Sequence, residues 1–299
     1  MSVRTAPAPL PSLGFRRLRA FTILMLAVAL VNTVVHLLDR SDAVLPAVVA
    51  APAPAPVPAP PPAPAAVVAD AVSDWHAAED GHLAVVVSDL STGRTTAYGD
   101  TDHAFATASI VKVDILATLL LQEQGRLTSG QKEVAGRMIR QSSNGAATTL
   151  WKAIGKEKGL AAANATFGLT QTKGGTRGRW GATTTTTADQ LRLLQVVFTD
   201  DSPLTPGSRK YLQALMGGVA TDQDWGVTAA DSRGATHAHV KNGWLPRTGG
   251  WAVTSVGRVE HEGHPLLVAA LSDGGSTQKK GVSVVELVAT HAAKDVTGV

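Results

Sequence analysis

Apolar and polar positions change rhythm several times along the chain. The run HLAVVVSDL (His82–Leu90) is nearly continuous in apolar residues and reads as a buried strand. Ser91-Thr92-Gly93 then reads as a turn, and Arg94–Tyr98 as the returning strand of a hairpin. A short helix over 70–80 precedes them. From about 109 to 216 the spacing becomes helical. Ser109–Gln124 (SIVKVDILATLLLQEQ) is apolar on most sides and so predicts a buried helix, whereas Gln131–Gln141 is amphipathic. Short helices follow over Ala146–Ile154 and Gly159–Phe167, then a Gly-rich loop over Gly168–Gly181. Thr187–Phe198 begins with a threonine and an early aspartate, as a helix start should. Thr205–Met216 carries Pro206 in its first turn. Strand patterns resume over His237–Trp244, Trp251–Val259 and Leu266–Ser272, and a last helix covers 278–293. Strand runs joined by short turns pair antiparallel. The expected fold is therefore α/β of the α+β kind: an antiparallel sheet built from N- and C-terminal strands, flanked by helices. The middle helices form an inserted all-helical lobe, with a cleft between the two parts.

The first 69 residues follow different rules. Arg16, Arg17 and Arg19 precede an apolar run from Ala20 to Leu38. As a helix it would reach ~29 Å, about one hydrocarbon core. Four arginines lie before the run and only Arg40 just after it, which places the N-terminus in the cytoplasm. The expected organisation is a basic cytoplasmic segment (1–19), a transmembrane signal-anchor (20–38), a Pro/Ala-rich linker (39–69) and a globular domain (70–299) facing outward. Secretion after cleavage near Ala47-Val48-Val49-Ala50 is the alternative, but the run is long for a signal-peptide core. Nine prolines within 46–64 exclude helix and sheet interior there and favour an extended spacer.

Charge changes the picture only by exclusion. The net charge of +3 comes from the N-terminal segment, because residues 70–299 carry 22 Lys and Arg against 22 Asp and Glu. Nothing points to a nucleic-acid partner, which would need a basic face. With no cysteine, the chain has no disulfide, thiol nucleophile, cysteine-ligated metal or cysteine-linked lipid. His237 and His239 alternate along a predicted strand, which would turn both rings to one side. No cysteine or carboxylate stands in register with them, so they are assigned no metal. His261 and His264 flank a hairpin turn and are expected in solvent.

Three short patterns could carry chemistry. Ser109 opens the buried helix, and Lys112 follows one turn later on the same face. A serine hydroxyl needs a base, and a lysine packed among apolar residues can lose its proton readily enough to serve. Ser142-Ser143-Asn144 lies between two helices, where a hydroxyl and an amide could relay a proton and hold a substrate. Lys241-Asn242-Gly243 lies in a strand ahead of Trp244; a cation and an amide donor there could grip a carboxylate, while glycine admits a substrate backbone. Each pattern is weak alone: S-x-x-K recurs at Ser129 and Ser276, a polar turn accounts for the second, and an edge-strand lysine for the third.

Taken together and in this order, they resemble the S-x-x-K, S-D-N and K-T-G signature of the class A β-lactamase and penicillin-binding protein superfamily, over about residues 75–295. The resemblance implies Ser109 as acylated nucleophile, Lys112 as its general base and Ser142 as proton shuttle. Asn144 would orient Lys112 and bind the substrate amide, and Lys241, Asn242 and Gly243 would hold the substrate carboxylate and backbone. The amides of Ser109 and Trp244 would form the oxyanion hole. The implied ligands are a β-lactam or a D-Ala-D-Ala-like peptide; no cofactor is expected, and the expected protein is a monomer that the run 20–38 holds at the cytoplasmic membrane.

This chain also departs from that pattern. Ser143 and Asn242 stand where relatives carry Asp and Thr or Ser. The loop over 168–181 has Lys173, Arg177 and Arg179 but no acid, whereas class A enzymes place a glutamate there to activate the deacylating water. Glu157, between Lys156 and Lys158, is the one carboxylate between Gly145 and Thr187. The expected activity is thus a β-lactam-acylated serine hydrolase that deacylates slowly. The alternatives are a D,D-carboxypeptidase-type wall-peptide hydrolase and a non-catalytic wall-binding module. Trp244 and Trp251 bracket the KNG turn and are candidates to line the cleft.

Overall fold

The computed structural model describes residues 63–298. Helix α1 (Pro64–Glu79) comes first, with Pro64 in its first turn and Ala63 capping it. It takes in residues 64–69, which the sequence reading gave to the linker. Proline is tolerated in the first turn of a helix, and the Ala-Ala-Val-Val that follows propagates one. Strands β1 (Leu83–Asp89) and β2 (Thr95–Gly99) form the expected hairpin. The two-residue strand β3 (Phe105–Ala106) and the short 3-10 turn Ala108–Ile110 lead into α2 (Val111–Gln122). The predicted buried helix therefore begins two residues later than Ser109, and Ser109 sits in the tighter turn before it.

Helices α3 (Ser129–Arg140), α4 (Asn144–Ala153) and α5 (Lys156–Phe167) follow. Thr128 and Gln131 close a reciprocal capping box on α3. The loop after α5 returns to β4 (Thr184–Thr185), which pairs with β3. Helices α6 (Thr187–Phe198) and α7 (Pro206–Met216) start on the side-chain caps Thr186 and Thr205. Three long strands, β5 (His239–Arg247), β6 (Gly250–His261) and β7 (His264–Gly275), precede the last helix, α8 (Gln278–Thr297).

The main sheet is antiparallel throughout, in the order β2-β1-β7-β6-β5. Its centre therefore joins an early strand to a late one, as expected. Successive residues of a strand face opposite sides, and both sides are apolar. Ala84, Val86, Leu267, Ala269 and Val256 join one core with the helices α2 to α7. Val85, Val87, Val268, Ala270 and Val240 join a second core with α1 and α8. This is why HLAVVVSDL shows no alternation: all seven residues of β1 are buried. Among the described residues no helix is long and apolar enough to cross a membrane. The run Ala20–Leu38, and the linker up to residue 62, lie outside them.

Several local expectations change. His237 lies in a short 3-10 turn, exposed, and His239 begins β5 with its ring edge-on to Phe198 at 5.5 Å, so the two do not share a strand face. His261 is buried, with Nδ1 2.8 Å from the Ala230 carbonyl oxygen, because the 3-10 segment Val227–Ala230 packs over its strand. His264 pairs with Asp89 at 2.9 Å.

Candidate active site

The site is delivered by two strained turns. Ala108, just before Ser109, has φ +48°, and Ser142 has φ +52°. Both are left-handed values that L-residues avoid, at a cost of about 1–3 kcal/mol each. The first turn is held by backbone bonds from Thr107 N–H to the Thr183 carbonyl (2.8 Å) and from Ile110 N–H to the Thr107 carbonyl (3.2 Å). Thr254 Oγ on β6 also donates to the Thr107 carbonyl, at 2.9 Å. The second turn is held by Ser143, whose amide donates to the Arg137 carbonyl (3.1 Å) and whose hydroxyl caps α4 by accepting from Ala146 N–H (3.3 Å). A cap is what serine at this middle position does, and aspartate would serve the same end.

Lys112 is 0% exposed, while Ser109 above it is half-buried. Its Nζ lies 2.8 Å from Ser109 Oγ, 2.6 Å from the Ser142 carbonyl oxygen, 3.0 Å from Ser142 Oγ and 3.0 Å from Asn144 Oδ1. All four partners are neutral. Burial without a countercharge disfavours the ammonium and lowers the Lys112 pKa to about 7. The ring of Trp180 stands over Nζ, 4.9 Å from centroid to nitrogen, and its indole N–H is fixed on Thr148 Oγ at 3.1 Å. Trp180 was missed in the sequence. Its one signal was a large aromatic inside an otherwise polar, Gly-rich loop.

The KNG segment is arranged differently from the expected carboxylate grip. Gly243 backs directly onto the Ser109 turn. Lys241 and Asn242 are both 0% exposed. Lys241 Nζ donates to the carbonyl of Asn242 at 2.8 Å and to its Oδ1 at 3.3 Å. Asn242 Nδ2 donates to the Gln223 carbonyl at 2.7 Å. Burial, and then the neighbouring Lys112, hold Lys241 well below the ordinary lysine pKa. Trp244 and Trp251 are half-buried and pack against the core that α8 shares, with Trp244 against Trp225 at 5.8 Å between centroids.

The cleft itself is a cavity of about 680 Å³ lined by Asn144, Arg179, Trp180, Leu245, Arg247 and their neighbours. Asn144 belongs both to this cavity and to the Lys112 cluster. Arg179 and Arg247 make its rim basic. Glu157 is not among the hydrogen-bond partners of Lys112. It packs where a Cβ on Gly174 would lie 2.9 Å from its own Cβ, and its Oε2 has no hydrogen-bond partner. Among the described residues, no carboxylate lies within hydrogen-bonding reach of Lys112.

Comparison with known proteins gives a consistent result. The model of the beta-lactamase enzyme family matches residues 130–296. The protein named "Putative lipoprotein LppW" in Mycobacterium tuberculosis is 28% identical over 207 residues, covering 66% of this chain and 65% of the relative. The chain thus spans just under two thirds of the length of that curated relative. Among solved structures, a beta-lactamase from Streptosporangium roseum superposes with a TM-score of 0.64 at 20% identity, over 78% of this chain and 100% of the other. A mutant of PBP-A, solved as its acyl-enzyme complex with penicillin G, superposes with a TM-score of 0.66 at 18% identity, over 80% and 100%. At these identities the superpositions speak for the fold.

Proposed function

The chain belongs to the beta-lactamase enzyme family, and on that premise we propose that it is a serine acyl-hydrolase whose nucleophile is Ser109 and whose substrates are β-lactams. The observation that carries this reading is the 2.8 Å separation between Ser109 Oγ and the Nζ of a buried Lys112 whose pKa lies near 7. At neutral pH a large fraction of Lys112 is the free amine, with a lone pair able to accept the serine proton. Ser109 Oγ then attacks the lactam carbonyl, and the C–N bond opens. Ser142 Oγ, 3.0 Å from Nζ, passes the proton on to the leaving nitrogen. The backbone amides of Ser109 and Trp244 are the proposed donors to the oxyanion. Asn144, on the cavity wall, is the proposed contact for the substrate amide.

The acyl-enzyme then hydrolyses slowly in this reading. Loop 168–181 carries no acid, and the ring of Trp180 covers Lys112. A peptide ending in D-Ala-D-Ala is the alternative substrate of the same residues. One observation favours a non-catalytic wall-binding module instead: Lys241 and Asn242 are bonded to each other and to Gln223 rather than presented to the cavity. For location we propose a domain held outside the cytoplasmic membrane by the run 20–38, since a chain with no cysteine cannot carry a cysteine-linked lipid.

Intact mass measurement after incubation with penicillin G tests this reading. A gain equal to the whole antibiotic, absent in Ser109→Ala, is expected; no gain in the wild-type chain overturns it in favour of the binding module. Hydrolysis of a chromogenic cephalosporin, compared with D-alanine release from a peptide, then separates the two substrates.

A further inference from the structure

A second cluster of reactive side chains lies where α1 meets the β1–β2 edge of the sheet, and it shares no residue with the Ser109 cluster. We propose that His76, His82 and Asp100 form a binding site for a divalent first-row metal ion, zinc above all. His76 is in the last turn of α1, His82 immediately precedes β1, and Asp100 immediately follows β2. The backbone is shaped to bring them together. Asp80 ends α1 in a left-handed conformation, φ +50°, and reverses the chain so that His82 returns beside His76. Gly99 has φ +79°, and a Cβ there would lie 2.0 Å from the Leu83 carbonyl oxygen, so only glycine lets the end of β2 close against β1.

The donor atoms are His76 Nε2, His82 Nδ1 and Asp100 Oδ2, all within 4.8 Å of one another. Zinc–ligand bonds of ~2.0–2.2 Å put the corners of a tetrahedron roughly 3.3–3.6 Å apart. His82 Nδ1 and Asp100 Oδ2 already stand 3.4 Å apart. His76 Nε2 and Asp100 Oδ2 stand 2.6 Å apart and share a proton. An ion takes the place of that hydrogen, the imidazole carrying its N–H on Nδ1 instead, and the pair opens by about 1 Å to admit it. Two imidazoles with one carboxylate suit zinc, copper or nickel and not calcium or magnesium.

Two of the three ligands are held in advance by a layer of supporting groups. The His82 ring stacks on His103 with centroids 3.7 Å apart. His103 Nε2 is bonded to Asp273 Oδ2 at 2.9 Å, and Asp273 Oδ1 accepts the His82 amide at 2.9 Å. The Leu83 amide donates to Asp100 Oδ2 at 3.0 Å and fixes the carboxylate. Metal sites are built in this way, with the outer groups setting ring orientation before the ion arrives. His76 and His82 are exposed and Asp100 is half-buried, so an ion enters from solvent and water completes its coordination. Bound there, it ties the end of α1 to the β1–β2 edge of the sheet.

The test is metal binding by the full-length chain. Equilibrium dialysis against buffered zinc, with elemental analysis, should give one zinc per chain at micromolar free metal. The cobalt-loaded chain should show the visible absorption of a low-coordinate nitrogen–oxygen site. His76→Gln and His82→Gln should each weaken binding at least about tenfold, with circular dichroism unchanged, while His237→Gln leaves it unaltered. A wild-type chain that stays metal-free at ~100 μM zinc and shows no cobalt band refutes the site. So does stoichiometric zinc that survives both glutamine substitutions in one folded chain.

Discussion

A Cβ placed on Gly243 would come within 2.3 Å of the Ser109 amide nitrogen and 3.0 Å of the Ala108 Cβ. Strand β5 and the turn carrying Ser109 therefore touch backbone to backbone, and the strained turn is braced by a residue with no side chain. Gly243→Ala must push the two apart. We expect a loss of about 1–3 kcal/mol in stability and at least a ~100-fold slower acylation, read by urea unfolding and by the rate of the penicillin mass shift. Gly136→Ala on α3, with nothing within 4 Å of the added carbon, is the control and should do neither.

The Lys112 pKa near 7 makes acylation pH-dependent in a definite direction. If the free amine is the base, as proposed, the acylation rate should climb as pH rises through about 7 and level off above it. Lys112→Met should lower the rate by roughly 10²–10⁴-fold and flatten the profile. Stability should follow the same group. Below about pH 7 both folded and unfolded chains hold the proton, and the folded state bears the burial cost. Between about 7 and the ordinary 10.5 only the unfolded chain holds it, so this contribution to stability rises with pH. A rate profile with no inflection near 7 would remove Lys112 from the role of base.

The third expectation concerns the acyl-enzyme. With neutral partners around Lys112 and the Trp180 face above it, no residue of the cluster is a carboxylate able to activate water. After excess penicillin is removed, the adduct on Ser109 should persist for many seconds when followed by time-resolved intact mass. Turnover faster than about one per second would mean that another group, Glu157 first among the candidates, reaches the site.

The legible part of this protein was whatever a local pattern encodes. A helix turn predicts that Ser109 and Lys112 share a face, but only the resemblance to the S-x-x-K and S-D-N signature groups them with Ser142 and Asn144. The structure brings the other three onto the Lys112 Nζ. The sheet was legible because β1 and β7 are apolar on both faces and their neighbours turn tightly. Trp180 was not, because its position depends on a loop with no periodicity. Strand alternation also could not tell that Asn242 spends its amide on Gln223, a partner 19 residues away in a short 3-10 turn. Nor could it reveal the pairing of β3 with β4, two residues on each side. The histidine cluster was invisible for the same reason: its members come from a helix end, a strand start and a hairpin end.

Asp114 offers a last test, one that is independent of substrate. It is 1% exposed in α2, two residues beyond Lys112. It accepts from Asn164 Nδ2 at 3.1 Å, while its own Oδ1 and Asn164 Oδ1 have no partner. Burial, assisted by the nearby Asp189 carboxylate, raises its pKa from 3.8 to about 7. Below pH 4 both folded and unfolded chains are protonated here, and the group costs nothing. As pH rises from about 4 to 7 the unfolded chain has lost its proton and the folded one retains it, so stability falls. Above 7 the full cost remains, roughly 4 kcal/mol for a shift of this size. Asp114→Asn never ionises, and its amide can donate to the unpartnered Asn164 oxygen. The variant should therefore lose less stability than the wild type between pH 4.5 and pH 8 and be the more stable of the two at pH 8, as read by urea unfolding at both values. Equal slopes for the two proteins would mean that Asp114 carries its charge in the folded state without penalty.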